Sequence, residues 1–241
     1  MPQTITEGFI PFKGYRTWHK SVGAGEEAGK LPLLLLHGGP GACHDYLWSL
    51  AAMAQTGRRV IFYDQLGCGL SHIAESKPEM WTVDLYCEEI DAVRQALGLD
   101  RVHLLGQSLG GMLAMEYLIR QPRGVASATI ASSPANMIQW VKEANRLRAQ
   151  LPPEINAVLL KHEAAGTTNS PEYQSAMTEF YNRHVCRVVP NPEYVQRSFA
   201  KLGEHPERSR EMLRKNLLQC HLGSVAGGEP KDFGWAALPL Q

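Results

Sequence analysis

Three short segments carry residue types suited to nucleophilic acyl transfer: His37-Gly38-Gly39-Pro40-Gly41, Asp64-Gln65-Leu66-Gly67-Cys68-Gly69-Leu70-Ser71 and Gly106-Gln107-Ser108-Leu109-Gly110-Gly111. The third is a G-x-S-x-G whose context makes it specific. It follows the apolar run Val102–Leu105 and precedes the helical stretch Leu109–Ile119. Ser108 is therefore expected on a sharp strand-to-helix turn, with its hydroxyl clear of the sheet edge. Gly106 and Gly110 are needed because a Cβ at either position would collide with the neighbouring strand or helix. The helix that starts at Leu109 also brings unpaired N–H groups that favour developing negative charge. A Ser/Gly loop without chemistry is the alternative, and the strand and helix on either side argue against it.

Acyl transfer passes through a tetrahedral oxyanion that needs preorganised N–H donors. One donor is expected from Leu109, directly after the nucleophile, and the other from Gly39, because a glycine loop lets its backbone approach a substrate closely. His37 has the right chemistry for a general base, but its place in the oxyanion loop reads as structural, with the ring oriented by backbone. Asp64 has the right chemistry for a triad acid, yet it precedes the serine, whereas strand-elbow hydrolases run Ser, then Asp or Glu, then His. Gly67 and Gly69 lack the third glycine of a dinucleotide fingerprint. The stretch Asp64–Ser71, Gln65 included, reads instead as a turn packed beneath the nucleophile loop.

The elements that would position these segments are visible as hydrophobic patterning. Gly8–Val22 reads as an N-terminal hairpin. The short apolar runs Leu33–Leu36, Val60–Tyr63, Val102–Leu105 and Ala126–Ala131 have the character of buried parallel strands. Between them His44–Ala54, Val83–Leu97 and Leu109–Ile119 have helical periodicity and can serve as crossovers. After Ser133-Pro134 only helical segments follow: Ile138–Gln150, Glu154–Ala165, Glu172–Val185, Glu193–Leu202 and Glu207–Leu218, punctuated by prolines and Gly166. The predicted fold is α/β: an α/β-hydrolase fold with a mostly parallel sheet flanked by helices and a helical lid insertion. The expected division is a core over residues 1–135, a cap over 136–220 and a divergent Gly- and Pro-containing tail over 221–241.

Composition narrows the classes of partner. The 24 basic and 24 acidic residues cancel, so the electrostatic footprint of a nucleic-acid or anionic-membrane binder is missing. No apolar run approaches the length of about 20 residues that spans a bilayer, and the first ten residues lack the apolar region of a secretion signal. Five scattered cysteines form no metal-ligand pattern, which predicts reduced thiols in a cytoplasmic protein with no metal and no cofactor. A small molecule or short peptide is the expected partner.

Together, HGGPG at 37–41, DQLGCGLS at 64–71 and GQSLGG at 106–111 resemble the proline iminopeptidase family of serine hydrolases, in order and spacing from about Glu7 to Glu207. The resemblance implies Ser108 as nucleophile, Gly39 and Leu109 as oxyanion donors, and a helical lid over a short peptide or amino-acid amide. The family usually places tryptophan after the nucleophile; Leu109 keeps the amide and changes one pocket wall. The family also continues through two further strands carrying the triad aspartate and histidine. After Glu207 that pattern is lost, and 222–241 matches none of it. Of nine histidines four follow the serine, His162, His184, His205 and His221, and none is assigned as the base. The chain thus reads as a C-terminally truncated member, with an exposed sheet edge at Ala126–Ala131 that favours self-association. A non-catalytic remnant of the family and an esterase remain the alternatives.

Overall fold

The computed structural model describes residues 4–23, 29–73 and 80–204. The segment Glu207–Leu218 and the tail 221–241 lie outside the described residues. Strands β1 (Ile5–Phe12) and β2 (Tyr15–Val22) form the N-terminal hairpin. Lys13 and Gly14 turn the chain with φ of 47° and 81°, the two positive values that a tight hairpin turn requires. Strands β3 (Leu33–Leu36), β4 (Val60–Tyr63), β5 (Val102–Gln107) and β6 (Val125–Ala131) complete one sheet in the order β1-β2-β4-β3-β5-β6. The four later strands run parallel, and β2 joins them antiparallel to β4.

Because side chains alternate along a strand, an all-apolar strand needs cover on both faces. Leu34 and Leu36 of β3, with Ile61, Tyr63, Val102 and Leu104, face helices α1 (Val83–Ala96) and α2 (Leu109–Ile119) through Tyr86, Ile90, Val93, Met112, Leu113 and Tyr117. Leu33, Leu35, Val60 and Phe62 face the other way, onto Leu47 and Ala54 of a helix over His44–Thr56. That helix winds as 3₁₀ rather than α. Tertiary bonds fix its start, where the His44 amide donates to Asp64 Oδ1 at 2.8 Å, and Gly57 closes its end at φ 86°. Among the described residues strand β6 lies at the sheet edge, and its Ala126, Ser127, Thr129 and Ile130 are exposed.

Beyond β6 come α3 (Met137–Arg148), α4 (Pro153–Ala164), α5 (Pro171–His184) and α6 (Glu193–Glu204). Their starts are written locally. Asn136 and Ser170 accept from the amides of Gln139 and Tyr173, and Pro153 and Pro171 take first-turn positions that need no donor. The end of α3, with α4 and α5, holds a small interior of its own, built from Leu151, Leu159, Tyr173, Ala176, Met177 and Phe180, whereas Met137 at the start of α3 packs into the main core. Helix α6 attaches to the 3₁₀ helix: Arg197 pairs with Asp45 at 2.9 Å, and the Tyr46 amide donates to Ser198 Oγ at 3.1 Å.

Candidate active site

Strand β5 delivers Ser108 to the start of α2. A serine at a helix N-cap ordinarily has extended backbone and turns its oxygen back onto the first amides. Ser108 does neither. Its φ and ψ are 54° and −123°, and its side chain makes no capping bond. The cap is closed instead by the Ser108 carbonyl, which accepts from the amides of Gly111 and Met112 at 3.0 and 3.2 Å. The hydroxyl is left half-buried and uncommitted, with no hydrogen-bond partner among the described residues. The turn is this tight because glycines line it. A Cβ on Gly106 would lie 2.2 Å from the Gly110 carbonyl oxygen, and one on Gly110 only 2.0 Å from that of Leu36.

The glycine loop after β3 abuts this elbow. A Cβ on Gly38 would come within 2.8 Å of Ser108 Cβ and 2.9 Å of Gln107 Oε1. Gly39 follows at φ 125°, a conformation that side chains disfavour. No hydrogen-bond partner for the Gly39 amide occurs among the described residues. Leu109 is the first residue of α2, so its amide has no carbonyl one turn earlier in the helix. The Leu109 amide, directly after the serine, and the Gly39 amide, in the loop that abuts the elbow, are thus both unpaired among the described residues.

His37 is buried, and both ring nitrogens are engaged by main chain. Its Nδ1 lies 2.7 Å from the Gly38 carbonyl oxygen, and its Nε2 accepts from the Gln65 amide at 3.0 Å. These partners fix a neutral ring protonated at Nδ1. Burial pushes the His37 pKa below its ordinary value, outweighing the pull of the Asp64 charge. The motif from Asp64 to Ser71 thus reaches the glycine loop through Gln65, whose side-chain amide also donates to the His37 carbonyl at 2.6 Å.

Asp64 is fully buried beneath the loop. It accepts from the amides of His44 and Leu70, each at 2.8 Å, and meets His44 Nδ1 at 2.8 Å. Burial alone would raise its pKa; the His44 hydrogen bond and charge, with the Leu70 amide, bring it below the ordinary value. Its oxygens are committed to this turn. Tyr46, Gln107 and His44 belong to the constellation without a signal in the sequence, since a tyrosine inside an Ala- and Leu-rich helix reads as core packing. Among the described residues no group of three His, Cys, Asp or Glu side chains is arranged to hold a metal.

A mixed sheet with four parallel strands, a serine at positive φ on the strand-to-helix elbow and a glycine loop against it define the α/β-hydrolase class, and residues 32–218 match the family described as alpha/beta hydrolase fold. Within that class the chain is similar to several curated proteins and solved structures. Proline iminopeptidase of Clostridium botulinum is 45% identical over 197 residues, and that of Lactobacillus helveticus 43% over 196. Each alignment covers 80% of this chain and 66% of the relative. The crystal structure of proline iminopeptidase from Mycobacterium smegmatis superposes with a TM-score of 0.80 at 43% identity, covering 92% of this chain and 74% of that one. That of VinJ gives 0.79 at 44% identity, covering 83% and 68%. The chain belongs to the proline iminopeptidase family. It spans 66% of the length of the curated relatives it matches.

Proposed function

We propose that this chain is a serine hydrolase that releases an N-terminal residue, proline among them, from short peptides or hydrolyses amino-acid amides. The observation that carries the reading is the uncommitted Ser108 hydroxyl at φ 54°, set against the glycine loop at Gly38 and Gly39. In the reaction Ser108 Oγ adds to the scissile carbonyl, and its proton passes to a base. The oxyanion formed is received by the amides of Gly39 and Leu109. Each such donor is worth about 3 kcal/mol of transition-state stabilisation. Collapse expels the amine and leaves an ester on Ser108, which water then cleaves. His37 is not that base, because both of its nitrogens are held by main chain.

Helices α3 to α6 serve as the lid over the acyl pocket in this reading, which their separate interior and their attachment at Asp45 and Tyr46 support. The free thiols of Cys43, Cys68, Cys87 and Cys186 suit a reducing, cytoplasmic setting. Among the described residues no helix is long and apolar enough to cross a membrane.

The test is covalent labelling with a fluorophosphonate, paired with turnover of a proline arylamide. Wild type should be labelled and Ser108→Ala should not, with turnover lost in the same variant. A wild-type chain that neither labels nor turns over would replace this reading with that of a non-catalytic family member that binds without reacting. Faster cleavage of a simple acyl ester than of the proline amide would point to an esterase.

A further inference from the structure

We propose that Tyr46 is a positioning residue that locks the glycine loop onto the nucleophile elbow. Its hydroxyl lies between the two segments: it accepts from the Gly38 amide at 2.6 Å and donates to Gln107 Oε1 at 2.6 Å. One oxygen thereby ties the residue before the second oxyanion donor to the residue before the nucleophile. No other side chain among the described residues bonds to both segments. The remaining bonds on Gly38 act in the same sense, since its carbonyl is held by His37 Nδ1 at 2.7 Å. With both sides of this peptide fixed, the Gly39 amide has a set direction.

Three further observations support the assignment. The absent Cβ of Gly38 lets the loop sit close enough for both bonds to be short. Burial raises the Tyr46 pKa, so the hydroxyl keeps the proton it donates to Gln107. The main chain of Tyr46 is itself held, its amide donating to Ser198 Oγ of α6 at 3.1 Å. The ring therefore projects from a backbone anchored by the helical region. Preorganisation of this kind matters because a displaced oxyanion donor loses most of its effect.

The catalytic consequence rests on the function proposed above, so the experiment reads the loop and the chemistry separately. Hydrogen exchange of the Gly38 amide is followed by NMR in wild type and Tyr46→Phe, alongside the fluorophosphonate labelling rate of Ser108 and the affinity for proline amide. Tyr46→Phe should exchange at Gly38 about tenfold faster, label about tenfold slower and bind proline amide unchanged. A role in packing alone would move none of these selectively, because phenylalanine fills the same volume. Unchanged exchange at Gly38, or unchanged labelling with a reactive wild type, overturns the proposal. If wild type itself fails to label, the hydrolase reading falls, and faster Gly38 exchange in Tyr46→Phe still establishes the positioning role. Ser198→Ala, which removes the acceptor for the Tyr46 amide, should shift Gly38 exchange in the same direction by less.

Discussion

Gln65 and His37 are joined twice, once by the Gln65 main-chain amide on His37 Nε2 and once by the Gln65 side-chain amide on the His37 carbonyl. The second bond is the one a substitution can remove. In Gln65→Ala the buried His37 carbonyl loses its donor, and leaving such a group unpaired costs roughly 1–3 kcal/mol. Urea unfolding should show that loss as a lower midpoint with an unchanged slope. An unaltered midpoint would mean that another donor takes over.

Glu89 makes stability depend on pH in a direction opposite to that of most carboxylates. Burial, outweighing the hydrogen bonds from Thr17 and the Leu66 amide, pushes its pKa up to about 8 from the ordinary 4.5. Between those values the folded chain holds a proton that the unfolded chain has released. The contribution is therefore fully present below 4.5, falls as pH rises towards 8 and is flat above it, a change on the order of a few kcal/mol. Melting temperatures taken from pH 5 to pH 8 should decline in wild type and decline less in Glu89→Gln, which keeps an acceptor for Leu66. Parallel profiles for the two proteins would refute the assignment.

Ser108→Gly should separate stability from chemistry. A serine at φ 54° with ψ −123° carries about 1–3 kcal/mol of backbone strain, partly offset by the greater freedom of glycine in the unfolded chain. The variant should melt about 2–4 °C higher while losing all fluorophosphonate labelling. A lower melting temperature would show that the elbow is not strained.

Among the described residues strand β6 ends the sheet with Ile130 38% exposed, and an uncovered edge of that kind pairs with other chains unless it is charged. Sedimentation velocity should show concentration-dependent association of the wild type, reduced in Ile130→Lys. A single monomeric species at all concentrations would remove this expectation.

How much of this was legible follows from what each residue buries. Leu33–Leu36 and Val60–Tyr63 are strands in sequence because every side chain must be covered, and both segments have the bounds expected of them. Strand β5 runs two residues past the apolar run because Gly106 and Gln107 contribute main-chain ladder bonds rather than hydrophobicity. The 3₁₀ winding of His44–Thr56 is absent from its composition, since its start is pinned by Asp64 from twenty residues away. The Tyr46 bridge was equally hidden. Its partners Gly38 and Gln107 lie 8 and 61 positions off, and no local pattern connects them.

The separate interior around α4 and α5 has a consequence for how such a protein changes over time. Leu159 and Tyr173 share no packing cluster with Leu34 or Ile90, so replacements there alter the helical region without disturbing the sheet. If these helices form the lid proposed above, preference for one substrate over another can drift there while the elbow stays as it is.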